Sequence, residues 1–180
     1  MADAVNDDLW DVGNIASEKE RSKTIDFSDP YVNIDANFIF RSKNNFKDFA
    51  KRQLRIITKD ASQGYVPFEF NEAQTKIHKA IEKQIKEKGR VRALVLKARQ
   101  QGISTYTAGR VFWKTFYTPH TRSVVIAHDS ATSDALFTMS KNFIDRMSKD
   151  FKPELIRSNA KEVKFSHNDS GFRLYTAWSP

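Results

Sequence analysis

The residues best suited to chemistry lie in one stretch, Lys97-Ala98-Arg99-Gln100-Gln101-Gly102-Ile103-Ser104-Thr105. A loop that holds a phosphate wraps backbone N–H groups around the anion. It needs a glycine for close approach, a helix N terminus beneath the anion, a cation, and a hydroxyl for Mg²⁺. Against the pattern G-x-x-x-x-G-K-[ST], Gly102 and Ser104 occupy the second glycine and hydroxyl positions, while Ile103 replaces lysine and Lys97 replaces the first glycine. Lys97 and Arg99 are both long enough to supply the displaced cation. The competing reading is a basic strand-to-helix turn, with Ser104 as an N-cap and Gly102 supplying positive φ. Upstream lie Tyr65, Pro67, Phe68, Phe70 and Gln74. An aromatic ring stacks on an adenine face, and a glutamine amide can donate to and accept from its edge. Gln74 also falls three residues after Asn71, where it would close a capping box instead.

These residues need elements to position them. Asn71 is a good N-cap, Ala73, Ile77, Ala80, Ile81 and Ile85 form a helical stripe, and Gly89 suits a helix C terminus. Val91–Leu96 (VRALVL) is a near-continuous apolar run, the pattern of a strand buried on both faces. Ser104–Tyr117 places Ala108, Val111, Phe112 and Phe116 on one helical face, and Thr118-Pro119 stops it. Ser123–Ala127 (SVVIA) repeats the buried-strand pattern, and Asp129 or Ser130 caps a helix carrying Ala135, Leu136, Met139, Phe143 and Met147. Strand, helix, strand, helix implies a right-handed crossover and a parallel sheet. Alternation at Val163 and Phe165, the turn HNDSG, and alternation at Phe172, Leu174 and Thr176 predict an antiparallel hairpin. Before all this, Phe46, Phe49, Ala50, Gln53, Leu54 and Ile57 recur at helical spacing among Arg41, Lys43, Lys47, Lys51, Arg52 and Arg55, and Ile57–Asn71 reads as a hairpin or extended segment. Residues 1 to about 40 read as an N-terminal arm, with 41–180 as one domain.

The chain of 180 residues carries 30 Lys and Arg against 22 Asp and Glu, a net charge of +8 that favours phosphate or nucleic-acid partners. With 39% hydrophobic residues and 14 Phe, it has too much apolar material for disorder. It has no cysteine, which excludes disulfides, thiolate zinc sites and cysteine nucleophiles. No apolar stretch reaches the ~18 residues of a membrane span, and the acidic start lacks a signal-peptide core. His78, His120, His128 and His167 show no ligand spacing and read as surface or packing residues. Phe112, Trp113, Phe116 and Tyr117 read as core and rim, and the basic residues of 41–59 as a solvated helix face that also suits a DNA backbone.

The order aromatic segment, Asn71–Gln74 (NEAQ), helix, apolar run, KARQQGIST, helix, SVVIAHDS, helix, hairpin resembles the N-terminal ATPase domain of the large terminase subunit of tailed bacteriophages. The resemblance covers residue 45 or so to the end, and ARQ-x-G-x-S-T is its most specific part. Some members of that family carry the lysine at the start of the loop, as Lys97 stands here. The resemblance implies an α/β fold with a RecA-like P-loop NTPase core around a mainly parallel sheet. It implies ATP and Mg²⁺ as cofactors and a nucleotide site built from Gln74 and from Lys97, Ala98, Arg99, Gln100, Gln101, Gly102, Ile103, Ser104 and Thr105. There Gln74 would read adenine, Lys97 and Arg99 would contact phosphates, Arg99 would be the catalytic cation, and Ser104 or Thr105 would hold Mg²⁺. The implied partners are double-stranded viral DNA, the portal protein, the small terminase subunit and further copies in a ring on the procapsid. The implied setting is the host cytoplasm, with transient docking at the portal.

ATP hydrolysis also needs carboxylates for Mg²⁺ and water, usually on an apolar strand ending in Asp-Glu. No such run occurs between Ser104 and Pro180. In terminases that strand and the nuclease domain lie beyond the hairpin, so the sequence reads as part of the ATPase domain and an isolated 1–180 should bind nucleotide weakly and hydrolyse it poorly. Asp129 follows an apolar run but reads as a helix cap. Two alternatives stay open: a superfamily 2 helicase fragment, and a non-enzymatic basic nucleic-acid-binding module in which the loop is only a turn.

Overall fold

In the computed structural model the described residues are 36–58, 61–158 and 161–177. The chain divides into two units, Met1–Asn33 and Ile34–Pro180. The first lies outside the described residues, as do most of the expected arm and its function.

The first described elements of the second unit are α1 (Ala36–Asn44), which starts inside the stretch read as an arm and ends beyond it, and α2 (Phe46–Gln53). Asn45 caps α2 by accepting the Asp48 N–H at 3.1 Å, and Phe46, Phe49, Ala50 and Gln53 form its buried stripe. The expected helix to Ile57 is shorter, because Leu54 turns extended (φ −94°, ψ 139°) and starts β1 (Arg55–Ile57). This strand pairs antiparallel with β2 (Tyr65–Pro67), with Ile56 opposite Val66, so the segment is a hairpin.

α3 (Glu72–Lys88) follows and α4 (Ile103–Tyr117) crosses the core. Gly109 lies inside α4, where glycine costs about 1 kcal/mol relative to alanine. Its reason is packing: a Cβ there would meet Phe68 at 3.1 Å, Leu54 at 3.3 Å and Phe46 at 3.4 Å. Phe112 on the next turn is buried among Phe49, Phe143, Phe165 and Phe172, with ring centroids 5.9–6.4 Å away. Each such ring contributes roughly 1.5–3 kcal/mol by burial. Phe116 joins this core, and Trp113 and Tyr117 form its rim, as their helical positions predict.

The sheet contains β3 (Arg122–Ala127), β4 (Leu155–Ser158), β5 (Glu162–Phe165) and β6 (Gly171–Thr176) in the order β3-β6-β5-β4. β5 and β6 are the expected hairpin. β3 pairs parallel with β6, Val125 opposite Leu174, and the other pairs are antiparallel. α5 (Ser130–Asp145), capped by Asp129, packs with α4 on the face carrying Val125, Phe172, Leu174, Val163 and Phe165. The opposite face shows Val124, Ile126 and Tyr175 to solvent, beside Arg173 paired with Glu162 at 2.8 Å.

The sheet therefore departs from expectation. Val91–Leu96 forms no strand: residues 91–98 are irregular, and Leu94 and Leu96 are as exposed as in an open chain, at 102% and 101%. No strand among the described residues pairs with this run, so its peptide groups gain nothing from extension. β3 is correspondingly an edge strand, with Val124 54% and Ile126 65% exposed, and not a strand buried on both faces. The architecture is mixed α/β with a mixed-direction four-stranded sheet.

Candidate functional site

The loop Lys97–Thr105 begins in the irregular segment and ends in the first turn of α4, so the strand expected before it is missing and the helix expected after it is present. Gln100 and Gly102 both have positive φ, 61° and 69°. Gly102 is the N-cap residue of α4 and is required twice over, because a Cβ there would also lie 2.6 Å from the Gln74 side-chain nitrogen.

α3 holds this loop from one side. Asn71 and Gln74 form the capping box: the Gln74 N–H donates to Asn71 Oδ1 and the Asn71 N–H to Gln74 Oε1, each at 2.9 Å. The remaining amide groups reach across to the loop. Gln74 Nε2 donates to the Gly102 carbonyl at 2.7 Å and Asn71 Nδ2 to the Gln101 carbonyl at 3.2 Å. Gln74 is 4% exposed, so its side chain is a buried strut between cap and loop.

This anchoring orients the opposite side of the loop. In a trans peptide the N–H points away from the carbonyl of the same unit. With the Gln101 and Gly102 carbonyls held by α3, the N–H groups of Gly102 and Ile103 point away from it. No side chain caps α4, and no hydrogen bond among the described residues takes up the N–H groups of Gln101, Gly102, Ile103, Ser104 or Thr105. Ser104 is not the N-cap that the competing reading made it. Lys97, Ala98, Arg99 and Gln100 are exposed, and Lys97 and Arg99 form no ion pair among the described residues. Lys97 and Ser104 also edge a cavity of about 230 Å³ that is apolar deeper in, between α4 and Val125, Leu136, Phe172 and Leu174.

Behind the loop, three polar rungs join α3 to α4 at one-turn intervals. Gln74 meets Gly102, His78 Nδ1 lies 3.1 Å from the Tyr106 hydroxyl, and Glu82 pairs with Arg110 at 2.8 Å. Burial pushes the His78 pKa down, offset in part by Glu82 and reinforced by Arg110 and Lys47; burial likewise pushes Tyr106 up. Arg110 faces both partners of this rung, His78 Nδ1 at 3.3 Å and the Tyr106 hydroxyl at 3.4 Å. The Arg110 guanidinium lies over the Phe46 and Trp113 rings, at 5.7 and 5.5 Å. Sequence reasoning missed His78, Tyr106 and Arg110 as a unit. The signal was there in two series at intervals of four, 74/78/82 and 102/106/110.

Other candidates sit elsewhere. Asp129 accepts from the Thr132 N–H and hydroxyl, both at 2.8 Å, bonds that lower its pKa, and it is the helix cap expected. His120 approaches Asp169, His128 contacts Asp129, and His167 bonds the Phe116 carbonyl. Among the described residues no three His, Asp or Glu side chains converge as metal ligands. No described helix is long and apolar enough to cross a membrane. No family model matches the chain, and comparison with curated proteins finds no match.

Proposed function

We propose that this chain is the nucleotide-binding part of a viral DNA-packaging ATPase, as the resemblance of KARQQGIST to the large terminase subunit implies. The supporting observation is the loop before α4: the Gln101 and Gly102 carbonyls are tied back to Asn71 and Gln74, the Gly102 and Ile103 N–H groups face away from α3 with no acceptor among the described residues, and the exposed cations Lys97 and Arg99 precede them. Backbone N–H groups at a helix N terminus suit the β- and γ-phosphates of ATP. Lys97 and Arg99 would offset the charge that builds on the γ-phosphate, and the Ser104 hydroxyl would meet Mg²⁺. The RecA-like completion of the sheet, the adenine contact of Gln74, the ring on the portal and translocation of double-stranded DNA belong to the same proposal. Gln74 retains one amide proton and one oxygen lone pair for that contact.

Thermal denaturation with and without Mg-ATP tests it. A ligand that binds only the folded state adds RT ln(1 + [L]/Kd), about 2.7 kcal/mol at a hundred times Kd. The wild-type chain should gain stability with ATP, and the Lys97→Ala/Arg99→Ala variant should lose that gain. A wild type indifferent to millimolar Mg-ATP, or a double variant that responds unchanged, refutes the assignment.

A further inference from the structure

The positive charge of the chain is concentrated. Residues 76–99 hold nine Lys or Arg against Glu82 and Glu87, a net +7 within a chain of net +8. On α3, Lys76, Lys79, Lys83 and Lys86 recur at spacings of three and four and form one stripe, and Arg90 follows the Gly89 cap. Gln74, Ile77, His78 and Ile81 occupy the inward side of the helix, and all five cations are exposed.

The fold uses little of this charge. Lys76 and Lys83 stand 3.7 and 3.8 Å from Glu72 and Glu87, exposed pairs of small worth. Lys79, Lys86, Lys88, Arg90 and Arg92 form no ion pair among the described residues. Glu82, the acid nearest mid-stripe, turns to Arg110 instead. Three cations of α2 and β1 behave differently. Arg52 holds Asp48 at 2.9 Å, Lys51 holds Glu69 at 2.9 Å, and Arg55 binds the Arg52 and Leu54 carbonyls.

We infer that the α3 stripe Lys76-Lys79-Lys83-Lys86, with Arg90 just beyond the helix, is a docking surface for the sugar-phosphate backbone of a nucleic-acid duplex. Ten residues of helix rise about 15 Å, the axial rise of about four base pairs at 3.4 Å each. Lysines on flexible stems act as point charges, which suits contacts to phosphate irrespective of sequence. The inference deepens the DNA-binding part of the reading above, which supplies the duplex, and it does not involve the nucleotide loop.

The test uses the whole 180-residue chain, a labelled 30-base-pair duplex of arbitrary sequence and fluorescence anisotropy across a salt series. Neutralising three contacts in Lys79→Gln/Lys83→Gln/Lys86→Gln should flatten the plot of log K against log salt by about 2.7 and weaken binding about 100-fold or more at 50 mM salt. The Lys→Arg triple variant should keep the wild-type slope. Should the Gln triple variant lose helix content, Lys79→Gln and Lys86→Gln singly should each flatten the slope by about 0.9. An unchanged slope in the Gln variants overturns the inference. So does a wild type that ignores the duplex but binds vesicles of anionic phospholipid through the same lysines. Stripe-dependent duplex binding without any ATP-induced thermal shift would keep this surface and remove the motor reading.

Discussion

Val91–Leu96 and Ser123–Ala127 look alike as sequence, yet one is exposed coil and the other is the strand β3. The difference is the neighbour. β3 runs beside β6 for six residues in register, from Arg122 opposite Gly171 to Ala127 opposite Thr176. Among the described residues Val91–Leu96 has only a side-chain substitute: the Gln84 amide takes both the N–H and the carbonyl of Arg92. An apolar, β-branched run thus encodes the capacity to be a strand, while pairing decides whether the capacity is used. The loop that follows the unpaired run is still fixed in shape, because α3 grips it through Asn71 and Gln74.

Truncation on the paired side should have the largest effect. Phe172, on β6 beside Ser123, is buried against Phe112 and Phe165, so Phe172→Ala should cost about 3–5 kcal/mol in urea denaturation. A loss under 1 kcal/mol would mean that β6 does not organise β3. An intermediate effect is expected from Gln74→Ala, which removes half the capping box and leaves the Gly102 carbonyl with only the Tyr106 N–H. It should lower stability by about 1–3 kcal/mol and reduce any ATP-induced shift, whereas a purely structural strut would lower stability and leave the shift intact. The smallest effect belongs to the unpaired run: Leu94→Ser and Leu96→Ser should each stay within about 0.5 kcal/mol of wild type. A loss above 2 kcal/mol would show that the run is buried in solution.

Local signals were legible in the sequence. Asn71 and Gly89 bound α3, and HNDSG joins β5 to β6, because caps and turns are decided by the residues that make them. Pairing between distant segments was not. Nothing in SVVIA says that its parallel neighbour is GFRLYT, some fifty residues on, and LIRS lacks the alternation that would have marked β4. At the site, Gln74 was legible as a capping residue, while its hold on Gly102 depends on how α3 and α4 lie together.

The outer edge of β3 has one further consequence. Among the described residues, six residues of backbone there have a strand on one side only, with Val124 and Ile126 beside them open to water. Such an edge is a template for any extended chain that reaches it, including the same chain in another molecule. Mutual repulsion from a net charge of +8 opposes that encounter, and dissolved ions shorten its range to about 8 Å at physiological ionic strength. Where no described strand covers that edge, the salt concentration should set how readily two molecules meet along it.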